Sequence, residues 1–370
     1  MTTNTNATGN SARRALNLGL QGGGAHGSYS WGVLDALLED GRFDFDGISG
    51  TSAGAMNAVV LADGLMKGGR EGARRALAEF WQAVADSVPL DLSMPVAGGE
   101  GVALLPTTKM MLNWTQYFSP YQINPLNFNP LQKLLEARVD FDALRTHSPV
   151  RLFLAATHAN TGKLRLFRNP EISVHAVLAS ACLPMLNQAI MIDGEPYWDG
   201  GYAANPAVFP LFNECDSRDI LLILLAPPVY GDTPRKVEEI RARTLEFAFN
   251  TSLLREMLLF AHVLNYSSDH TPPEAEKGWT GSRGLLRLLG RAPQPGLSGF
   301  ERQMVETRFH LIEAENLLRQ FGSATKIAAD WPFLKKLHDI GYAKAKSWLA
   351  EHGEQVGKET SFDLIGRFGV

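Results

Sequence analysis

The apolar positions of this chain fall into short runs in its first two thirds and into long periodic stretches in its last third. Residues 15–21 are apolar and bounded by glycine, which predicts a buried strand. A glycine-rich loop follows. Residues 28–38 then place Trp31, Leu34, Leu37 and Leu38 on one face of a predicted helix that Gly41 can end. Residues 43–49 read as a second strand, and 53–66 as a helix of small and apolar residues suited to close approach on a sheet. Strand, loop and helix repeated twice within about fifty residues predict an α/β fold. Further strands are expected at 150–157, 163–167, 189–192 and 220–225, with helices at 72–86 and at 172–182, the latter stopped by Pro184.

Two regions depart from this alternation. Segment 87–130 mixes prolines and glycines with Met110, Met111, Leu112, Trp114, Tyr117, Phe118, Tyr121 and Phe128. It is expected to be either a lid over an apolar cleft or an insertion resting on the core. From residue 234 the pattern predicts long helices at 235–250, 253–266, 300–321 and 331–352, with a Pro/Gly-rich loop at 271–299. The last helix carries Phe333, Leu334, Leu337, Ile340 and Trp348 among lysines. The organisation expected is a disordered lead over 1–14, an α/β unit over 15–230 and a helical region over 231–370 lying on it.

Composition narrows the partners. A net charge of −4 over 370 residues leaves no global basic field, which argues against nucleic acid. The Thr/Asn/Ser-rich start lacks the apolar centre of a secretory signal, and no run reaches the ~18 apolar residues of a membrane span. The expectation is a soluble, cytoplasmic chain with at most peripheral membrane contact. Arg283-Gly284-Leu285-Leu286-Arg287-Leu288-Leu289-Gly290-Arg291 reads either as a segment lying on anionic lipid or as a turn docked on the core. The two cysteines, Cys182 and Cys215, suggest neither a disulfide framework nor a zinc site.

The candidate chemistry begins at Gly50-Thr51-Ser52-Ala53-Gly54, a serine between two glycines, after a predicted strand and before a predicted helix. That is how a strained turn displays a nucleophile, Gly50 and Gly54 leaving room for it. Upstream, Gly22-Gly23-Gly24-Ala25-His26-Gly27 supplies backbone N–H groups for an oxyanion. The same spacing matches a dinucleotide fingerprint, for which Asp44 and Asp46 lie near the required acidic position. A base for Ser52 is less evident. His310 and His338 come late enough for a histidine-assisted triad but fall in predicted amphipathic helices. Asp199, in Tyr197-Trp198-Asp199-Gly200-Gly201, follows a predicted strand and leads to Asn205-Pro206; Asp193-Gly194 just before it reads as a hairpin turn.

Taken in order, the glycine loop, the serine elbow and the Asp-Gly-Gly turn resemble the patatin-like family of lipid acyl hydrolases, over roughly residues 16–225. The resemblance implies a three-layer α/β/α core with a central, mostly parallel sheet. It implies Ser52 as nucleophile and Asp199 as its base. Gly22, Gly23 and Gly24 would form the oxyanion hole, supported by Ala25, His26, Gly27, Gly50, Gly54, Gly200 and Gly201. No metal or organic cofactor is implied, and the substrate would be a phospholipid, lysophospholipid or related acyl ester, a storage-lipid or polyester ester being an alternative. The family commonly has Arg or Lys where this chain has His26, so charge at that point is expected to depend on pH. A non-catalytic lipid- or nucleotide-binding module is the rival from another class.

Overall fold

A computed structural model describes residues 13–87, 93–95, 102–105, 118–226, 230–231, 233–269, 303–304, 306–314 and 323–369. The N-terminal lead up to residue 12, the apolar residues from Met110 to Tyr117, the 271–299 loop and its basic segment Arg283 to Arg291 lie outside the described residues.

In chain order the elements are β1 (Arg14–Leu20), α1 (Gly27–Asp40), β2 (Phe43–Gly50), α2 (Ala53–Asp86), β3 (Ser93–Pro95), β4 (Val102–Leu104), α3 (Pro120–Ile123), α4 (Pro130–Arg138), α5 (Phe141–His147), β5 (Arg151–His158), β6 (Leu164–Arg168), α6 (Val174–Ser180), β7 (Ile190–Ile192), β8 (Glu195–Asp199), α7 (Phe209–Glu214), β9 (Asp219–Leu224), α8 (Val237–Asp269), β10 (Arg308–Glu313), α9 (Trp331–His352) and α10 (Leu364–Phe368), with short 3-10 turns between some of them. Among the described residues, eight strands form one sheet in the order β10-β9-β1-β2-β5-β8-β7, with β6 also on β5. β10, β9, β1, β2 and β5 run parallel, and β6, β7 and β8 add antiparallel pairings.

The central strands are buried on both faces, as a sheet between two helical layers requires. Leu16, Leu18, Leu20, Leu221 and Ile223 face one core with α1, α2, α6 and α9. Ile220, Leu222, Leu224 and Phe309 face the other with α7, α8 and α10. This is the expected three-layer α/β/α arrangement.

Most strands begin or end within a residue or two of their expected positions. The helices at 53–66 and 72–86 are continuous as α2 but broken at Gly68-Gly69, where Gly69 has φ 60°. Gly41, at φ 77°, ends α1 as expected. Asp193 and Gly194 both have positive φ and join β7 to β8 as the hairpin turn. Arg14 starts β1, so the disorder expected over 1–14 does not reach it. The predicted 235–250 and 253–266 helices form the single helix α8.

The predicted helix over 300–321 is not what the chain forms. Its centre is strand β10, paired in register with all six residues of β9. Phe309 and Ile312 fit either period over so short a run, and the open edge of β9 decides between them. The C-terminal region is therefore not purely helical: it completes the sheet as well as covering it. No helix among the described residues is long and apolar enough to cross a membrane.

Candidate active site

β1 and β2 end side by side, with Leu20 paired to Gly50, and each runs into a glycine turn and a helix. Open parallel sheets place ligands at this carboxyl edge. The two turns touch: a Cβ added to Gly22 would lie 2.7 Å from the Thr51 carbonyl oxygen and 2.9 Å from Ser52 Cβ. Ser52 sits at φ 54°, ψ −120°, a conformation that L residues rarely adopt and that lifts its side chain off the strand line. Gly54 is needed for a different reason, since a Cβ there would collide with the Leu20 carbonyl. The Ser52 N–H donates to Ser180 Oγ at 2.9 Å, from a fully buried serine at the end of α6.

Asp199 arrives by way of β5. That strand has β6 along one side, from Phe153 to Thr157. Its other side is shared, Arg151 to Leu154 pairing with β2 and Ala156 to His158 with β8. β8 therefore lies end to end with β2, and Asp199, opposite Ala156, sits two residues of β5 beyond Gly50, opposite Leu154, roughly 7 Å along the sheet. The Asp199 carbonyl accepts from Thr157 Oγ1 at 2.8 Å, its N–H donates to the Cys182 carbonyl at 2.8 Å, and its Oδ1 accepts from the Gly201 N–H at 2.7 Å. Only 3% of the residue is exposed. Burial pushes the Asp199 carboxyl up to about 7, against the opposing pull of the Gly201 N–H, which donates to it, and of the nearby Ser52 side chain. Ser52 and Asp199 thus line the same cavity, and the carboxyl titrates near neutrality.

The glycine loop is more committed than its sequence suggests. The Gly22 N–H donates to Asn205 Oδ1 at 2.7 Å, so it is not free for an oxyanion. Gly23 and Gly24 also line the cavity, and their N–H groups have no protein acceptor among the described residues. Gln21 braces the loop from beneath: its Oε1 accepts from Leu225 and Ala226 N–H at 2.6 and 2.8 Å, and its Nε2 donates to Asn250 Oδ1 at 3.0 Å. Sequence reasoning missed Gln21, Ser180 and the role of Asn205. The one available signal was polar side chains set within otherwise apolar or small-residue runs.

His26 departs from expectation. It is 2% exposed, its Nε2 is 2.8 Å from Thr325 Oγ1, and its ring meets Phe333 edge-on at 6.2 Å. Burial, helped by nearby Lys326, holds its pKa down to about 3, so the ring stays neutral at any ordinary pH. The other histidine candidates lie elsewhere. His310 is a fully buried strand residue between Asp219 Oδ1 at 3.1 Å and Ser361 Oγ at 3.0 Å. His338 is a buried residue of α9 bound to Asp35 Oδ2 at 3.1 Å, not a helix-surface residue. Neither lines the cavity that holds Ser52.

The dinucleotide alternative fares no better. Asp44 pairs with Ala15, at the opposite end of β2 from the glycine loop. Asp46 accepts the Asp216 and Ser217 N–H groups at 2.6 and 2.8 Å. Neither carboxylate is at the carboxyl edge where a ribose would lie.

The cavity over Ser52 and Asp199 has a volume of about 520 Å³, within the range of small-molecule sites. Gly22, Gly23, Gly24 and Asn205 line it. α8 contributes Ala242, Arg243, Glu246, Phe249 and Asn250, joined by Lys326 and Ile327. The C-terminal region thus supplies half of the cavity.

Comparison with known proteins adds the following. A family model described as patatin-like phospholipase matches residues 18–212, a span that contains the glycine loop, Ser52, Asp199 and Asn205. No curated protein sequence matches. Among solved structures, VipD from Legionella pneumophila is similar at 14% identity and a TM-score of 0.43, covering 96% of this chain and 73% of that one. The ExoU–SpcU complex of the Pseudomonas aeruginosa type III secretion system matches at 14% identity and a TM-score of 0.28, covering 93% of this chain and 77% of that one.

Proposed function

The chain belongs to the patatin-like phospholipase family, whose model spans more than half of it, and from that premise we propose that it is a lipid acyl hydrolase working through a Ser52–Asp199 dyad. One observation carries the reading. A serine in a strained turn and a buried carboxyl that titrates near neutrality line one cavity, together with glycines whose backbone N–H groups have no protein acceptor among the described residues.

The chemistry follows from that placement. Ser52 Oγ attacks the carbonyl carbon of an acyl ester while its proton passes to Asp199. A serine hydroxyl needs such a base, and a carboxylate with a pKa near the working pH is a competent one. The oxyanion of the tetrahedral intermediate accepts from the Gly23 and Gly24 N–H groups at the head of α1. Each such donor typically contributes ~3–4 kcal/mol to the transition state. Collapse expels the alcohol, which takes the proton back from Asp199 and leaves Ser52 acylated. Water enters, gives a proton to Asp199, attacks the acyl carbon and releases the acid with Ser52 restored. Asn205 and Gln21 hold the loop in place, and Ser180 holds the backbone of the nucleophile.

The test is active-site labelling with a fluorophosphonate together with fatty-acid release from phospholipid, lysophospholipid and neutral esters. Wild type is expected to take one label at Ser52 and to release acid, and Ser52→Ala to do neither. A label that persists in Ser52→Ala, or a folded wild type that takes none, overturns the assignment.

A further inference from the structure

The cavity that holds Ser52 carries charges that the dyad does not use. Arg243 lies over the Tyr230 ring, its Cζ 3.9 Å from the centroid, which fixes the guanidinium plane. Its Nε is 3.9 Å from Glu246 Oε2, and Lys326 Nζ is 3.8 Å from Glu246 Oε1. Both separations exceed a hydrogen bond, so one carboxylate is shared at ion-pair range by two cations. All three side chains line the cavity and keep partial exposure to it, 23% for Arg243, 18% for Glu246 and 36% for Lys326. Glu239, the other carboxylate of the lining, takes the Arg235 and Lys236 N–H groups at its helix start and pairs with Lys236 at 3.5 Å. Asp199 apart, Arg243 and Lys326 against Glu246 leave one net positive charge; burial lowers the pKa of the Lys326 ammonium, and Glu246 opposes that.

Lys326 is also fastened to the reaction centre. A Cβ on Gly24, at φ 59°, would collide with the Lys326 carbonyl oxygen, so the residue bearing the ammonium rests on the loop that would hold the oxyanion. Asp199, the remaining carboxyl of the cavity, is held partly neutral by burial. A planar guanidinium beside an ammonium is a pairing that suits a phosphate or carboxylate.

We propose that Arg243 and Lys326 form an anion subsite beside Ser52, so that the preferred substrate is an acyl ester bearing a phosphate or a carboxylate close to the scissile carbonyl. This names the substrate class of the same site and rests on the hydrolase reading for its kinetic test. The anion can be carried on the alcohol side, as in an acylglycerol phosphate, or on the acyl side, as in the monoester of a dicarboxylic acid. Because the subsite holds a group that takes no part in the bond changes, it binds ground and transition states alike and acts on KM.

The experiment compares, on the full chain, a short-chain monoacylglycerol, its 3-phosphate, and a glyceryl monoester ending in a free carboxylate. Wild type is expected to prefer one of the anionic esters by roughly tenfold or more in kcat/KM, the size of a charge-assisted contact, and the preferred one identifies the side that carries the anion. Arg243→Gln and Lys326→Gln should each remove most of that ratio through KM, Arg243→Lys should keep part of it, and Glu246→Gln should increase it. Equal rates on neutral and anionic esters, or a ratio untouched in the variants, overturn the subsite while leaving the hydrolase intact. Loss of all ester hydrolysis, or hydrolysis that survives Ser52→Ala, overturns the hydrolase instead. Calorimetry with glycerol 3-phosphate and succinate on the wild-type chain decides the subsite independently of turnover: binding of neither overturns it, and binding of one that weakens about tenfold in Arg243→Gln upholds it.

Discussion

Asn205 Oδ1 accepts the Gly22 N–H at 2.7 Å, tying the segment that follows Asp199 to the loop that precedes α1. Its backbone carbonyl takes Gln21 Nε2 at 3.4 Å as well. One side chain thus sets the distance between the two halves of the reaction centre. Asn205→Ala leaves a Gly22 N–H without its acceptor in a part-buried place, which costs about 1–3 kcal/mol. Turnover should fall more steeply than stability, because Gly23 and Gly24 are then free to drift. Urea melts alongside kcat on a soluble ester separate the two effects; full activity in a destabilised Asn205→Ala chain would contradict the role given to it.

The Asp199 carboxyl makes a prediction of opposite sign for activity and stability. As a base it must be ionised, so kcat/KM should rise with pH through about 7, the value to which burial pushes it. Its folded pKa lies above the unfolded value of 3.8. The fold is therefore unpenalised below 3.8, and the cost of burying the charge grows from there to about 7 and then stays constant. Asp199→Asn should abolish turnover and raise Tm above pH 7, with little gain near pH 4. Melting curves at the two pH values check the sign.

His26 gives the reverse dependence. Its pKa is lowered from 6.5 to about 3, so the unfolded chain gains a proton that the folded one refuses as pH falls between those limits. Stability contributed by the neutral ring is present above 6.5 and is lost on acidification. His26→Gln should flatten that part of the stability profile and leave the pH profile of kcat/KM in place. Titration by NMR of the His26 ring near 6.5 would refute its burial as a neutral group.

Ser180 is a positioning residue for the elbow. Ser180→Ala removes the acceptor of the Ser52 N–H, whose bond is 2.9 Å. The expected result is a fold weakened by about 1 kcal/mol with a slower rate of phosphonate labelling at Ser52, Ser180→Thr restoring part of it. A labelling rate equal to wild type would show that the strained turn holds itself.

The half of the site made by neighbours in sequence was legible in advance. The runs before Gly22 and Gly50 are apolar, their turns are glycine-rich, and parallel pairing of the two strands brings Ser52 beside the loop. What the sequence could not show depends on distant pairing. Phe309 to Ile312 fit a helix as well as a strand until β9 offers its open edge. Arg243 and Lys326 stand in a polar helix and a loop of the sequence, and they come to one cavity only because α8 packs on the Gly200–Tyr202 turn and residues 323–327 on the glycine loop. His26 reads as a group whose charge depends on pH because nothing nearby in the chain announces its contacts with Phe333 and Thr325.

The shared flank of β5 makes that strand a ruler. Gly50 is registered on Leu154 and Asp199 on Ala156, with only the buried Ala155 between them. The gap between nucleophile and base is then a matter of counting along a strand that contributes no reacting atom. Inserting one residue at Ala155 would lengthen the gap by about 3.3 Å and turn the next side chains to the opposite face. A family of related chains could vary its lids, helices and cavity walls widely, provided this short interval stayed the same length.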